Sequence, residues 1–308
     1  MAYKKVTVQV PATSANCGPG FDCLGLACSL YNTFTYELLP EEAGIQISGK
    51  GSGVEHLPQG RSNLTVQSFY DLWEKLHLPP VGLNVTSELN VPMSRGLGSS
   101  STAIVAGLVA ANALAGSPLD KAALVTEATA IEGHPDNVAP AILGGITVNV
   151  LEQGQVQSLQ VPLAKPLQLV AVVPECPMST ASARAVLPSV VPRQDAIYNV
   201  SRAALLVACF TTGNYEHLAT ALDDALHQPY RLPLMPGSAE AIKAAQRAGA
   251  YNGIISGAGS TLLAYVPAGG DVEKVGEAMA KPFAERNIRT TVHILHIDTE
   301  GAKILYLA

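Results

Sequence analysis

A glycine- and serine-rich stretch stands immediately before a long apolar segment, and this junction limits the folds open to the chain. Residues 92–102 read Pro-Met-Ser-Arg-Gly-Leu-Gly-Ser-Ser-Ser-Thr. Residues 103–115 that follow are apolar except for Asn112. A helix that is apolar all round must be buried among other elements. The sequence therefore predicts a core helix entered through a polar loop.

The polar loop has the chemistry of a phosphate cradle. A helix N-terminus offers four unpaired N–H groups and a partial positive charge. Glycines let the backbone approach an anion closely, and serine hydroxyls add donors. The chain contains no G-x-x-x-x-G-K-[ST], so this is not a Walker loop. The alternative is a buried helix capped by a serine after a glycine turn.

The overall composition limits the classes of protein to which the chain can belong. The 308 residues are 48% hydrophobic and 14% charged, which suits two domains, or one large one, with a sizeable core. A net charge of −6 without a long basic run argues against nucleic acid as the main partner. The apolar run 203–210 is too short to span a bilayer, so no membrane association is predicted.

The chain start and the cysteines favour a cytoplasmic protein. Lys5 to Val10 alternates like a strand and lacks the apolar core of a signal peptide. The five cysteines are odd in number and form no C-x-x-C pair, which is typical of reduced thiols. His293 and His296 have no nearby cysteine to complete a zinc site, and a partly buried strand is the simpler interpretation.

Hydrophobic patterns indicate an α+β fold. In the first half we expect a loop over 11–25, a helix over 62–76 with Ser62 as its N-cap, and a helix over 120–132. In the second half the predicted strands are 167–173, 252–255, 262–265 and 290–296, and the predicted helices are 196–211, 215–225, 238–248 and 272–286. The order lacks strict βαβ spacing and predicts two domains, 1–155 and 156–308.

Further polar motifs lie outside the first loop. The segment 11–25 projects Asn16 and Asp22, although turn-forming residues are common in plain surface loops. The motif Glu132-Gly-His-Pro-Asp-Asn137 follows a helix end. Glu127, on the helix before it, is a candidate Mg²⁺ ligand, with a solvated helix face as the alternative.

Two arginines and a second glycine turn occur in the second half. Ser256-Gly-Ala-Gly-Ser-Thr261 lies between two predicted strands and is either a nucleotide contact or a tight bend. Arg184 and Arg231 are either ordinary surface residues or clamps for a carboxylate, which a guanidinium binds through two hydrogen bonds.

Together these motifs resemble those of the GHMP small-molecule kinases. The three glycine-rich motifs occur in the order of that family, over residues 7–265. Pro11-Ala-Thr-Ser-Ala-Asn-Cys-Gly-Pro-Gly-Phe-Asp22, Gly133-His-Pro-Asp-Asn-Val-Ala-Pro-Ala141 and His227-Gln-Pro-Tyr-Arg231 resemble its homoserine kinase branch. Cys17 replaces an aliphatic residue, and Ser101-Thr102 replace a pair of alanines; all are small.

The resemblance implies a fold and a reaction. The expected fold is a two-domain GHMP kinase: an N-terminal, ATP-binding domain like ribosomal protein S5 domain 2 and a ferredoxin-like C-terminal domain. The expected reaction is the ATP-dependent phosphorylation of L-homoserine in threonine biosynthesis. ATP and Mg²⁺ are the implied cofactors. A homodimer is the assembly considered.

The resemblance also implies roles for named residues. Asp22 would bind the substrate ammonium, Arg184 and Arg231 its carboxylate, while Asn16, His134 and Asn137 would orient its hydroxyl end. Asn16, Asn137 and Asp136 are the catalytic candidates, although phosphoryl transfer does not require a base. Ser100 and Glu127 would hold Mg²⁺. The expected nucleotide contacts are Asn63 (adenine), Pro92, Met93, Ser94, Arg95, Gly96, Leu97, Gly98, Ser99, Ser100, Ser101, Thr102, Ser256, Gly257, Ala258 and Gly259.

Two other functions compete with this one. The first is a GHMP kinase acting on another alcohol, such as mevalonate or shikimate. Mevalonate has no ammonium group, so the presence of Asp22 argues against it. The second is an inactive, ligand-binding member of the family that acts as a sensor. The intact serines of the 92–102 loop argue against a sensor.

Overall fold

The computed structural model describes residues 3–308. The strands of this part are β1 (Lys5–Ala15), β2 (Leu24–Leu39), β3 (Ile45–Gly51), β4 (Gly82–Leu89), β5 (Ile146–Glu152), β6 (Gln155–Val161), β7 (Leu167–Pro174), β8 (Asn252–Ile255), β9 (Leu262–Pro267), β10 (Thr290–His296) and β11 (Lys303–Leu307). The α-helices are α1 (Leu64–Lys75), α2 (Ser99–Leu114), α3 (Lys121–Glu132), α4 (Pro135–Leu143), α5 (Thr180–Ala185), α6 (Arg193–Thr212), α7 (Leu218–Ala221), α8 (Gln228–Arg231), α9 (Ser238–Ala248) and α10 (Val272–Ala284). Short 3-10 helices cover Glu41–Ala43, Val54–His56, Gly60–Ser62, Tyr215–His217 and Leu232–Leu234.

The first sheet has seven strands in the order β11-β1-β2-β4-β3, with β5 and β6 continuing from β2. The long strand β2 pairs with β5 near its start and with β4 near its end. Helices α1 to α4 share one core with β1, β2 and β4. In that core Phe69 stacks between Tyr36 and Trp73, at centroid distances of 5.7 and 5.2 Å. Each such buried ring stabilises the fold by roughly 1.5–3 kcal/mol through lost apolar surface.

The second sheet has four antiparallel strands in the order β10-β7-β9-β8. Numbered along the chain, this order is 4-1-3-2. Helices α9 and α10 pack on one face of the sheet, and α6 and α7 lie in the core on the other face. The β7-α9-β8-β9-α10-β10 sequence is that of a ferredoxin-like domain. The predicted α+β class and the ferredoxin-like half are confirmed.

Sheet membership divides the chain differently from the predicted border at residue 155. That border falls at the first residue of β6, which forms a hairpin with β5 in the first sheet. The last strand, β11, returns to the first sheet and pairs antiparallel with β1. The first half therefore contains residues 5–161 and 303–307, because strand pairing across the chain overrides sequence order.

Local corrections concern polar residues that are buried. The predicted loop over 11–25 shortens to residues 16–23, because β1 runs to Ala15. Thr13 and Ser14 are fully buried, and their hydroxyls bond to Asn137 and Ser256. Both residues were predicted to lie in a loop, whereas they belong to β1 at the place where the two halves meet.

Two helix starts also differ from prediction. The N-cap of α1 is Asn63, whose Oδ1 accepts from the N–H of Thr65, and the predicted cap Ser62 lies in a 3-10 turn. Helix α4 was not predicted. Pro135 stands at the first helical position, where a missing N–H costs nothing, and Pro140 lies inside the helix.

Candidate active site between the two sheets

A cleft of about 410 Å³ lies where the two halves meet. One wall comes from the first half of the chain, through the turn after β1, the 92–98 loop and the starts of α2 and α4. The opposite wall comes from α5, α8 and the 257–259 turn. The cleft collects most of the predicted site residues: Asn16, Asp22, Asn63, Met93, Ser94, Arg95, Gly96, Gly98, Ser99, Ser100, His134, Asp136, Asn137, Arg184, Arg231, Gly257, Ala258 and Gly259.

The glycine loop at one end of the cleft leads directly into α2. Gly98 is the N-cap of α2, in the left-handed region at φ 66°, and no side chain caps the first N–H groups. These donors are free to bind an anion. The serine-capped helix considered as an alternative is therefore not what forms. The loop has the features of a phosphate cradle.

The loop is clamped on both sides. The N–H of Thr13 donates to the carbonyl of Leu97 at 3.1 Å, and the N–H of Thr261 donates to that of Arg95 at 3.0 Å. The hydroxyl of Ser256 donates to the carbonyl of Gly96 at 2.6 Å. A Cβ at Gly96 would lie 2.2 Å from the Ser256 carbonyl oxygen. Glycine is thus required here by packing as well as by backbone conformation.

An acidic residue stands beside the loop serines, and it is Glu132. The hydroxyls of Ser100 and Ser101 donate to Oε1 of Glu132 at 3.3 and 3.1 Å. Glu127 does not line the cleft and pairs with Lys75 at 2.6 Å. The two glutamates are five residues apart on α3, about 140° around a helix of 3.6 residues per turn, so they face different ways. The acid beside the loop serines is therefore Glu132, and the metal role of Glu127 stays a prediction for a residue outside the cleft.

The other end of the cleft carries opposite charges in contact. Arg184 donates two hydrogen bonds to Asp22, from Nη2 at 2.6 Å and from Nη1 at 3.0 Å. This pairing raises the pKa of Arg184, although partial burial opposes it. Asp22 and Arg184 were predicted to bind opposite charges of a ligand. In this structure they also bind each other.

Arg231 is the buried cation of the site. It is 2% exposed, and it donates to the carbonyls of Ala183 and Gly257. Burial lowers the pKa of Arg231 to about 10, with the charge of Arg184 acting in the same direction. The residue is still protonated at neutral pH. The ring centroid of Phe21 lies 5.4 Å from the guanidinium carbon of Arg184 and also 5.4 Å from that of Arg231, so this ring contacts both arginines.

The predicted histidine and aspartate of the 132–137 motif form a close pair. His134 Nδ1 lies 2.6 Å from Oδ1 of Asp136, which is 1% exposed. Burial opposes protonation of His134, but the hydrogen bond and charge of Asp136, with Glu132 and Asp22, outweigh it and raise its pKa. Donor atoms of Asp22, His134 and Asp136 lie within 4.8 Å of one another. Asp22 is already paired and one donor is a nitrogen, which suits Mg²⁺ less well than the oxygens at Ser100 and Glu132.

Both predicted asparagines have hydrogen bonds to the protein. Asn16 donates from Nδ2 to the carbonyl of Gly257 at 3.0 Å and accepts from the N–H of Asp22 at 3.1 Å. Oδ1 of Asn137 accepts from the hydroxyl of Thr13 at 2.8 Å. No described residue accepts from Nδ2 of Asn137. Asn16 therefore holds the turn together, while Asn137 has a donor available for a ligand.

Among the remaining predicted nucleotide contacts, Asn63 lines the cleft and the others lie outside its lining. Oδ1 of Asn63 accepts from the N–H of Thr65 in the α1 cap and its Nδ2 donates to the carbonyl of Pro58, which leaves the second N–H of this amide for a ligand. Pro92, Leu97, Ser101, Thr102 and Ser256 are absent from the cleft lining. Of these, Leu97, Ser101, Thr102 and Ser256 are fully buried behind the loop. Their role as nucleotide contacts stays a prediction.

Sequence reasoning missed the apolar part of the cleft. It is lined by Phe34, Leu57, Pro58, Leu64, Leu89 and Ala103. These residues come from β2, β4, α1, α2 and a loop, and the sequence contains no signal that would group them. An apolar slot next to a phosphate cradle suits a nucleotide base.

Comparison with known proteins identifies the family. The family models for the GHMP kinases N terminal domain and GHMP kinases C terminal match residues 63–145 and 205–285. A homoserine kinase of Trichormus variabilis is 45% identical over 297 residues, covering 96% of this chain and 98% of the relative. That of Desulfitobacterium hafniense is 44% identical over 302 residues, 97% of this chain and 100% of the relative. The chain belongs to the GHMP kinase family.

The same comparison confirms the predicted fold and the class of enzyme. The crystal structure of homoserine kinase from Cytophaga hutchinsonii superposes with a TM-score of 0.90, at 28% identity over 99% of this chain and 98% of that one. As a GHMP kinase the protein is an ATP-dependent small-molecule kinase. None of the helices in residues 3–308 is long and apolar enough to cross a membrane.

Proposed function

We propose that this GHMP kinase transfers the γ-phosphoryl group of ATP to the side-chain hydroxyl of L-homoserine, forming O-phospho-L-homoserine. The observation that carries the proposal is the contact between Asp22 and Arg184 at one end of the cleft, beside the buried Arg231. An α-amino acid carries its ammonium and carboxylate on one carbon, so its partners must also be adjacent. The names of the relatives, homoserine kinases, support the same substrate.

The charges suit a zwitterion better than a simple acid. Arg231 is held by protein carbonyls and keeps its charge without a carboxylate partner among the described residues. Asp22 accepts from Arg184 and can exchange one of those hydrogen bonds for an ammonium. The ligand carboxylate would then lie between Arg184 and Arg231, where a guanidinium offers two parallel donors.

The nucleotide would occupy the other end of the cleft. Its phosphates would contact the free N–H groups at the start of α2, and its base would enter the apolar slot next to Phe34 and Leu57. A bound Mg²⁺ would neutralise phosphate charge, and Glu132 with Ser100 would hold it. The oxygen donors at this position fit that ion.

Phosphoryl transfer itself depends on alignment and charge neutralisation more than on a base. Asn137 would orient the acceptor hydroxyl through its available Nδ2 group, held by Thr13. Oδ1 of Asp136 lies 2.6 Å from Nδ1 of His134, so the carboxylate orients this ring beside the cleft. We therefore assign Asp136 to the support of His134 and not to proton abstraction.

Asp136→Asn should accordingly keep measurable turnover, within about tenfold of the parent, and keep the acidic limb of the pH profile of kcat. General bases contribute about 10²- to 10⁴-fold. A thousandfold loss together with disappearance of the acidic limb would make Asp136 the base.

Arg184→Lys should raise KM for homoserine about tenfold and leave KM for ATP nearly unchanged. Lysine keeps the charge but loses the paired donors. Tenfold is the low end of what a charge-assisted hydrogen bond contributes, which suits a side chain that is 38% exposed. Arg193→Lys, at an exposed arginine outside the cleft, is the matched control. An equal effect in both variants would remove Arg184 from the substrate site.

Release of ADP in a coupled assay tests the substrate directly. Homoserine should be turned over efficiently, whereas mevalonate, shikimate, homoserine methyl ester and 4-hydroxybutyrate should be poor acceptors. The last two lack the free carboxylate and the ammonium respectively. If 4-hydroxybutyrate were phosphorylated as efficiently as homoserine, the role of Asp22 and the amino-acid specificity would both fail. Absence of turnover with any alcohol would favour a ligand-binding sensor.

A further inference from the structure

A buried hydrogen-bond network lies behind the amino-acid end of the cleft. Its centre is Asp224, whose side chain is 0% exposed. Oδ1 of Asp224 accepts from the N–H of Leu226 at 3.0 Å. Its Oδ2 accepts from the N–H groups of His227 and Gln228 at 2.9 and 2.6 Å. One carboxylate therefore caps the short helix α8, which ends at Arg231.

Asn199 of α6 joins this network to the turn that carries Asp22. Its Nδ2 donates to Oδ1 of Asp224 at 3.0 Å and to the carbonyl of Pro19 at 2.8 Å. Its Oδ1 accepts from the N–H of Ala225 at 2.8 Å. The side chain is 3% exposed and every polar group on it is occupied. Asn199 thus ties two separate segments of the chain to one helix.

His227 links the same two segments a second time. Its Nε2 lies 2.7 Å from the carbonyl of Gly18, which can only accept, so Nε2 carries the proton. Its Nδ1 is then an acceptor and lies 3.3 Å from Nη1 of Arg231. Burial lowers the pKa of His227 and keeps the ring neutral. Phe21 stacks on the ring at 5.3 Å.

We propose that Asp224 and Asn199 are positioning residues for substrate recognition. They hold Arg231 and the turn that carries Asp22 in fixed positions relative to each other across the cleft. Neither residue lines the cleft. Asp224 fixes His227 and the start of α8, His227 contacts Arg231, and Asn199 fixes Pro19, three residues before Asp22. This inference rests on the proposed function, because it concerns the partners of the homoserine zwitterion.

The test is Asp224→Asn in the full-length protein. An amide at 224 would turn its NH₂ group toward backbone donors or toward Asn199, so at least one hydrogen bond would be lost. KM for homoserine should rise at least tenfold, while KM for ATP stays within twofold. Asp223→Asn, at the exposed neighbouring acid, is the matched control and should change neither constant. Asn199→Ala should raise KM for homoserine in the same selective way.

A merely structural role predicts a different pattern. A structural role would lower the melting temperature and raise KM for homoserine and KM for ATP together. Alternatively, a folded variant would keep its KM for homoserine. Either result overturns the inference. If the variants do not fold, ¹⁵N NMR of the unmutated protein decides. His227 should show a neutral ring protonated on Nε2, and homoserine should shift its resonances whereas ATP alone should not. A charged or Nδ1-protonated ring, or no shift with homoserine, overturns the inference.

The two proposals fail separately. If the unmutated protein does not release ADP with homoserine, the proposed function fails. If it does, and Asp224→Asn keeps its KM for homoserine, only the positioning role fails.

Discussion

Glu132→Gln should lower kcat at least about a hundredfold and raise the Mg²⁺ concentration needed for half-maximal activity. The carboxylate lies next to Ser100 and Ser101 at the start of α2, where the phosphates would bind. A neutral amide keeps the size of the side chain but no longer balances the charge of a divalent ion. Removing one preorganised charge-stabilising group typically costs about 10²- to 10³-fold in kcat.

The matched control for this variant is Glu127→Gln on the same helix. Glu127 pairs with Lys75 outside the cleft, so this change should leave kcat within about twofold and cost less than about 1 kcal/mol of unfolding free energy. Steady-state kinetics at varied Mg²⁺ and Mn²⁺ binding followed by EPR are the measurements. If Glu127→Gln, and not Glu132→Gln, raised the Mg²⁺ requirement, the metal ligand would be Glu127.

Gly98→Ala should weaken ATP binding at least tenfold, about 1.4 kcal/mol, in a protein that still folds. Gly98 has φ 66°, and an added Cβ would lie 2.0 Å from Oγ1 of Thr13. Either Thr13 or the loop must move. Displacement of the loop shifts the N–H groups at the start of α2 away from the phosphates, and displacement of Thr13 breaks its hydrogen bond to Asn137.

Gly116→Ala separates backbone strain from the loss of the cradle. Gly116 has φ 91°, but nothing lies within 4 Å of the position of its Cβ. Both variants carry a conformational cost of roughly 1–2 kcal/mol. Only Gly98→Ala should change the dissociation constant of ATP measured by calorimetry, with thermal melts reporting stability. Equal ATP affinity in the two variants would exclude the cradle.

Elements with a clear hydrophobic period were predictable from the sequence. The helix Ser238–Ala248 and the strands Asn252–Ile255 and Thr290–His296 have the bounds that their patterns indicate. Strand β11 was not predicted. The pairing that makes it a strand is with β1, nearly 300 residues earlier in sequence, and no local pattern contains that information. The predicted helix 215–225 ends at Ala221 instead, because the following segment is organised around the side chain of Asp224.

The site residues that belong to short sequence motifs were predictable from the sequence. The glycine loop, Asp22, His134 and the two arginines all line one cleft. Glu127 and Glu132 could not be distinguished without the rotation of α3, since both are acids on the same helix. Asn63 was given to adenine because of its place at a helix start, and the same place makes it the cap.

The return of the last strand to the first sheet has a consequence for the order in which the chain can be completed. During synthesis β1 leaves the ribosome first, and β11 leaves last. One edge of β1 therefore stays unpaired until residues 303–307 have been made. The nascent chain carries this exposed strand edge while residues 16–302 are made, and β11 then covers it and becomes the edge strand of the sheet.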